Sequence, residues 1–382
     1  MLALINCQIL TGYDSLRDIA VLIEKDKIQS LISPKDIPLD TKIIDLDGAY
    51  LSPGFIDLQV NGCGGVMFND SPSLDTLYHM QATNLKSGTT SFLPTLISDS
   101  DQKIQEAVLA CDEFMQKHQH QVLGMHLEGP FTNPVKRGIH PEQQIRQPTD
   151  QIIDWLIAHR HAIRQITLAP EKNSDVHIQR LVESGIVVSI GHSAATYAQA
   201  TSGIKAGIQS GTHLFNAMTS IQNAREPGVV GALLDHQCYC GIIADGIHVH
   251  WSNIRLAKQI LGNKLYLVTD ATAGSMPPKG MTQFEFCGAT IFVENGQCID
   301  KNGTLGGSAL TMIEGIKLLI DNLNISLEEA IRMATLYPAR AIKASDKLGS
   351  ITPDKIANLT VLDKDLNVLR TMVNGVWADT AV

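Results

Sequence analysis

From Gly54 to about Val268 the chain repeats one pattern: a run of apolar and β-branched residues, a polar loop, a helical stretch, and a glycine shortly before the next run. Eight runs qualify as strands: Gly54–Val60, Thr90–Thr95, Val122–Glu128, Arg164–Ala169, Ile186–Gly191, Gly211–Phe215, Cys240–Ala244 and Lys264–Thr269. Strands alternating with helices predict a parallel sheet, and eight such units predict an α/β fold closed into a (β/α)8 barrel. Four of the helical stretches end at Gly88, Gly185, Gly207 and Gly262, where glycine accepts the left-handed conformation that stops a helix.

The two ends differ from this core. Residues 1–50 hold three extended runs, Leu2–Leu10, Ile19–Ile32 and Thr41–Leu46, and the tail 349–382 holds Leu359–Leu362 and Thr371–Val376, with Asn374-Gly375 as a hairpin turn. Neither end buries much surface alone. They are expected to pair into one small β-sandwich domain, with the barrel, residues 51–348, inserted between them. A β-hairpin insertion near 281–303, Phe284–Phe292 with a turn at Asn295-Gly296, is expected over the barrel mouth. Ser252–Leu261 reads as an outer helix with Ile254, Leu256, Ala257, Ile260 and Leu261 on one side. Ser326–Ile342 reads as another, opened by a Ser326-x-x-Glu329 capping box.

Composition narrows the function. Of 382 residues, 44% are hydrophobic and 18% charged, which suits a folded core; a net charge of -9 without blocks of like charge argues against nucleic-acid binding. No apolar run reaches the roughly 18 residues that a membrane helix needs, and the start Met-Leu-Ala-Leu-Ile-Asn lacks the basic stretch of a signal peptide, so a cytoplasmic location is expected. Seven cysteines without a Cys-x-x-Cys pair give neither a disulfide framework nor a zinc knuckle, and Cys238 and Cys240 read as buried free thiols.

The chemistry sits at the strand ends. In a parallel barrel all strand C-termini open onto one face, so Glu128, His192, His213 and Asp270 are expected to converge there. Singly, each has an ordinary explanation as a cap or a core histidine. Together, one glutamate and two histidines on different strands match the three protein ligands of a catalytic zinc site with an open position for water. Asp270 then stands where a carboxylate can take a proton from that water and hand it on. Asn216, Ala217, Arg225, His248 and the Leu305-Gly306-Gly307 loop are candidates for binding an anion, since arginine offers fixed donors and glycine lets a ligand approach the backbone. The chain contains neither a phosphate-binding Gly-x-x-x-x-Gly-Lys loop nor a Gly-x-Ser-x-Gly elbow, which disfavours ATP chemistry and serine hydrolysis.

Over nearly the whole chain these residues resemble the amidohydrolase superfamily and, within it, the N-acetylglucosamine-6-phosphate deacetylase family. The resemblance rests on Pro53-Gly-Phe-Ile-Asp57, Asn61-Gly-Cys-Gly-Gly65, His126-Leu-Glu-Gly-Pro130, Gly191-His-Ser193, Thr212-His-Leu-Phe-Asn-Ala-Met218, Ala244-Asp-Gly-Ile-His248, Val268-Thr-Asp-Ala271 and Ala334-Thr-Leu-Tyr-Pro-Ala339, in the family's order. It implies hydrolysis of the N-acetyl group of a phosphosugar in amino-sugar catabolism or recycling. Glu128, His192 and His213 would hold the metal and Asp270 would be the acid/base. Ile139, His140, Asn216, Ala217, Arg225, His248 and Leu305–Gly307 would hold the substrate. It further implies a homodimer with Arg225 near the subunit interface. Where many superfamily members carry His-x-His on the first strand, this chain has Gln59-Val-Asn61, placed near the substrate. Amides are poorer ligands than imidazoles, so one divalent ion per subunit is expected, Zn²⁺ first, with Fe²⁺ or Co²⁺ as alternatives. Two other readings use the same framework: a related amidohydrolase activity, either N-acetylgalactosamine-6-phosphate deacetylase or cyclic amide hydrolase, and a scaffold without catalysis.

Overall fold

A computed structural model describes residues 1–378; 379–382, the last of the tail assigned to the β-domain, lie outside the described residues. Eight parallel strands form the centre: Phe55–Val60, Thr89–Ile97, Met125–Glu128, Ile163–Leu168, Val187–Ile190, Ser210–Gly211, Tyr239–Ile242 and Leu265–Leu267, each hydrogen-bonded to the next in chain order. The first and last meet through a parallel bridge from Val60 to Ala271, and Asp270 N donates to the Gln59 carbonyl at 3.0 Å, which closes the barrel. Apolar strands buried on both faces suit a parallel sheet covered by helices.

The outer helices correct two expectations. Trp251–Leu261 buries Ile254, Ala257 and Leu261, whereas Leu256 and Ile260 are 56% and 46% exposed. At about 100° per residue, positions 254, 257 and 261 share a stripe that 256 and 260 do not. The expected single helix Ser326–Ile342 breaks into Leu327–Ala334 and Leu336–Ala341. Pro338 is the cause: its ring collides with the carbonyl four residues back, at Ala334, and it has no N–H to offer. Ser326 Oγ accepts from Glu329 N at 3.3 Å, but only half of the capping box forms. The Glu329 carboxylate is taken instead by Lys258, Arg332 and Tyr337.

Both termini build the β-domain. One sheet has the order Lys27–Ile32, Ala20–Glu24, Leu2–Ile5, Lys42–Asp45; the other runs Val376–Trp377, Val368–Val373, Leu359–Leu362, Tyr50–Pro53, Gln8–Leu10, Ser15–Leu16. The run Leu2–Leu10 is therefore split between sheets, at Asn6 with φ 52°. Leu4, Val21 and Ile28 of the first sheet share one buried core with Ile9, Leu51, Leu359 and Met372 of the second. Because Tyr50–Pro53 pairs with Leu359–Leu362, this layer reaches past residue 50 to Pro53 before the barrel begins.

The insertion is larger than one hairpin. Gln283–Phe286, Ala289–Glu294, Gln297–Asp300 and Leu305–Ser308 form a four-stranded antiparallel sheet. The run Phe284–Phe292 folds back at Cys287-Gly288, both residues at positive φ, just as Asn295-Gly296 does; paired positive φ values match the twist of the flanking strands.

Leu359 is fully buried in the shared β-domain core. A Leu359→Ala variant should lose about 2–5 kcal/mol of stability, measured by urea unfolding. A loss below about 1 kcal/mol would contradict a core shared by the two ends.

Candidate functional site

Glu128 is the last residue of the third strand, His192 and His213 follow the fifth and sixth by two residues, and Asp270 follows the eighth by three. His192, His213 and Asp270 have φ of 48°, 33° and 52°, a region that residues with a side chain seldom adopt and that costs on the order of 1–3 kcal/mol. The turn ends each strand at the barrel mouth, and sequence patterning gave no sign of it.

The side chains meet. Glu128 Oε1 lies 2.9 Å from His213 Nε2 and 3.2 Å from His192 Nε2, and the two imidazole nitrogens are 3.1 Å apart. Donors sharing one tetrahedral zinc at bond lengths of about 2.0–2.2 Å stand about 3.3 Å from each other, so this triangle fits a common cation. Tautomers agree: His192 Nδ1 lies 2.9 Å from the Lys136 carbonyl, which can only accept, so Nδ1 carries the proton and Nε2 offers its lone pair. The charges agree as well. Glu128 is held well below the usual carboxylate range: burial opposes its charge, but His192 and His213 outweigh it. His213 is raised despite burial because Glu128 faces it. Positive charge is favoured at this point.

His140 brings another ring nitrogen within 4.8 Å of the Glu128 and His192 donors, and its ring lies 4.1 Å from that of His192. Burial holds His140 well below its ordinary pKa, so it is neutral. Ser98 Oγ lies 2.8 Å from its Nδ1, and Ser98 N donates to the same atom at 3.4 Å. With Nδ1 accepting, Nε2 carries the proton, which makes His140 a donor rather than a ligand.

One amide bridges the two carboxylates and a second holds Asp270 alone. Gln59 Nε2 is 3.1 Å from both Glu128 oxygens and 3.1 Å from Asp270 Oδ1, and Asn61 Nδ2 donates to the same Oδ1 at 2.6 Å. Gln59 is thus buried behind the site instead of facing a substrate, a correction to the expectation. Burial, then the neighbouring Glu128, pushes Asp270 up to about 6. Below it Asp57, raised to about 7 chiefly by burial, bonds Thr269 Oγ1 and the backbone N–H of Gln59 and Thr269.

These groups open into a cavity of about 330 Å³ whose lining includes Asn61, Ile139, His140, Asn216, Ala217, His248, Leu305 and Gly307. Asp245 Oδ2 holds His248 Nδ1 at 2.6 Å. Gly307 has φ 68°, and a Cβ there would meet the Asp270 carbonyl at 2.8 Å, so only glycine lets this strand lie against the catalytic turn. Two expected residues are elsewhere. Gly306 is packed under Ile291, because alternation along its strand turns it from the cavity. Arg225 is exposed and outside this cavity, on the loop before Gly228–Asp235. Lys136, Phe286 and Thr304 line the cavity unforeseen. Lys136 lay three residues before the chosen Ile139, and that proximity was the available signal.

The amidohydrolase family profile matches residues 50–378, and that of the NagA composite domain matches residues 1–51. The chain is 47% identical over 377 residues to N-acetylglucosamine-6-phosphate deacetylase of Haemophilus influenzae, covering 99% of each chain. It is 40% identical over 336 residues to N-acetylgalactosamine-6-phosphate deacetylase of a Shewanella species, covering 86% of this chain and 83% of the other. The crystal structure of N-acetylglucosamine-6-phosphate deacetylase from Pasteurella multocida superposes with a TM-score of 0.96 at 47% identity, covering 99% of both chains. With a closed barrel, strand-end donors and relatives matched from end to end, the chain belongs to the amidohydrolase family, in the branch of the amino-sugar-phosphate deacetylases.

Proposed function

We propose that this chain hydrolyses the N-acetyl group of N-acetylglucosamine 6-phosphate, giving glucosamine 6-phosphate and acetate in amino-sugar catabolism or recycling. The observation that carries the reading is the triangle of Glu128, His192 and His213 beside Asp270 at the foot of a cavity sized for a sugar phosphate. Full-length identity to deacetylases of that substrate supports it.

A divalent cation held by Glu128, His192 and His213, Zn²⁺ in this reading, supplies a Lewis acid for the amide carbonyl and for the attacking water. The protein does the rest. Asp270 takes the proton of the water and returns it to the departing amine, and burial, by raising its pKa, makes its carboxylate a stronger base. Gln59 and Asn61 fix Asp270 through Oδ1, leaving Oδ2 toward the reaction. The His140 Nε2–H supplies a donor for oxygen charge that develops on the acetyl group. Asn61 Oδ1 has no partner among the described residues and is suited to accept from the substrate. His248, Asn216, Ala217, Leu305 and Gly307 line the cavity on the side assigned to the sugar and its phosphate. Exposed Arg225 adds a guanidinium to the partner's site in a homodimer, which accounts for its distance from the cavity of its own chain. The protein works in the cytoplasm.

The epimeric substrate is the second reading, favoured by the 40% identical galactosamine-type relative. Purified protein should release acetate from N-acetylglucosamine 6-phosphate faster than from the galactosamine epimer, and far faster than from unphosphorylated N-acetylglucosamine. The reverse order would move the assignment to the epimer; no acetate from any of the three would end it. Asp270→Asn should lower kcat by about 10²–10⁴-fold while ion uptake persists; wild-type turnover would remove Asp270 from the mechanism. Chelated protein titrated with Zn²⁺ should bind one equivalent, regain activity and gain about 2.7 kcal/mol of stability at a free ion concentration of 100 Kd. Metal analysis and thermal melts check this, and two tightly bound equivalents would contradict the single-ion site.

A further inference from the structure

Glu171 lies at the C-terminal end of the fourth barrel strand, in the short turn Pro170–Lys172, outside the cavity lining. It touches no candidate ligand, yet its carboxylate collects three donors from two loops. Oε1 accepts from Asn133 Nδ2 at 2.9 Å and from Ala194 N at 2.7 Å, and Oε2 accepts from Ser193 Oγ at 2.7 Å. Ser193 and Ala194 directly follow His192. Asn133 opens the turn Pro134–Lys136, whose first residues it caps through Oδ1 to Val135 N at 3.0 Å, and its own N–H donates to the His192 carbonyl at 2.8 Å. That turn ends in Lys136, whose carbonyl receives His192 Nδ1–H.

A ring of hydrogen bonds therefore runs from Glu171 through Asn133 and Lys136 to the imidazole of His192, and returns through Ser193 and Ala194. His192 sits inside it at φ 48°, a conformation that persists only where neighbours hold it. We infer that Glu171 is the positioning residue of the metal ligand His192: one carboxylate fixes both its left-handed backbone and the carbonyl that sets its tautomer. An ionised acceptor makes the stronger kind of hydrogen bond, and groups that orient a metal-binding histidine typically govern metal affinity by about 10–100-fold. This rests on the metal-site reading above.

Two variants test it. Glu171→Gln removes the charge; its amide oxygen can still accept from Asn133 Nδ2 and Ala194 N, but its NH2 then replaces the acceptor of Ser193 Oγ–H. Asn133→Asp keeps the cap on Val135 N but sets a second carboxylate against Glu171. For each, the Zn²⁺ dissociation constant is measured by chelator competition, beside melting of the chelated protein and kcat at saturating Zn²⁺. The expected result is a dissociation constant raised about 10–100-fold in both variants, with kcat recovering to within a few-fold of wild type once the ion is saturating. Wild-type Zn²⁺ affinity in the folded variants, with only the melting temperature lowered, would make Glu171 a plain structural brace and overturn the inference. If Glu171→Gln fails to fold, Asn133→Asp decides alone. Wild-type protein that binds no ion would instead overturn the metal-site reading itself.

Discussion

The seam where the first barrel strand meets the eighth carries both the fold and the chemistry. Gln59 and Ala271 carbonyls accept from Asp270 and Asn61 N–H at 3.0 and 2.8 Å, which closes the sheet. Side chains along the same seam join the candidate site: Asp57 under Thr269, Asn61 and Gln59 on Asp270 Oδ1, and Gln59 on to Glu128. A shift in register by one residue would turn every one of these side chains to the other face. Barrel closure and the anchoring of the Asp270 carboxylate draw on the same few residues, the first through backbone and the second through side-chain hydrogen bonds.

The seam also explains how three buried carboxylates coexist. Unpaired, a buried charge costs several kcal/mol, so such groups either find partners or neutralise. Burial pushes Asp57 up to about 7 and Asp270 to about 6, whereas Glu128, facing two imidazoles, stays ionised. The amide of Gln59 lies between Glu128 and Asp270 and donates hydrogen bonds to both, and that of Asn61 donates to Asp270. Imidazoles on the first strand would have presented lone pairs there; amide N–H groups present none. Donating amides therefore stabilise the neighbouring carboxylates through hydrogen bonds.

Much of this was legible in the chain. All eight strands fall within the expected runs or within a few residues of them, because continuous apolar runs bounded by glycine are what a covered parallel sheet demands. Glu128, His192, His213 and Asp270 could be singled out because they follow such runs. What stayed hidden depends on three-dimensional neighbours. Apolar composition alone suggests a buried face for Leu256 and Ile260 that the helical period does not give them, and the helical pattern of Ser326–Ile342 conceals the break that Pro338 imposes. Asn6 divides one β-rich run between two sheets through a left-handed backbone that asparagine tolerates but does not announce. Gln59 differs from its expected place facing substrate because alternation along a strand fixes which side a residue is on, not which of several inward groups captures its amide. Glu171, in a turn among ordinary surface residues, gave no signal at all.

Strain and order meet at the same three residues. His192, His213 and Asp270 each hold a left-handed backbone, and a strained conformation survives only where its surroundings offset the cost. Around His192 the offset is the hydrogen-bonded ring through Glu171. Asp270 has the seam: its N–H and carbonyl are both paired, to Gln59 and to Ser308 N. His213 has less. Its Nδ1 is buried without a partner among the described residues, and its Nε2 points only at Glu128 and His192. Of the three side chains, the His213 imidazole is thus the one whose orientation rests on Glu128 and His192 alone.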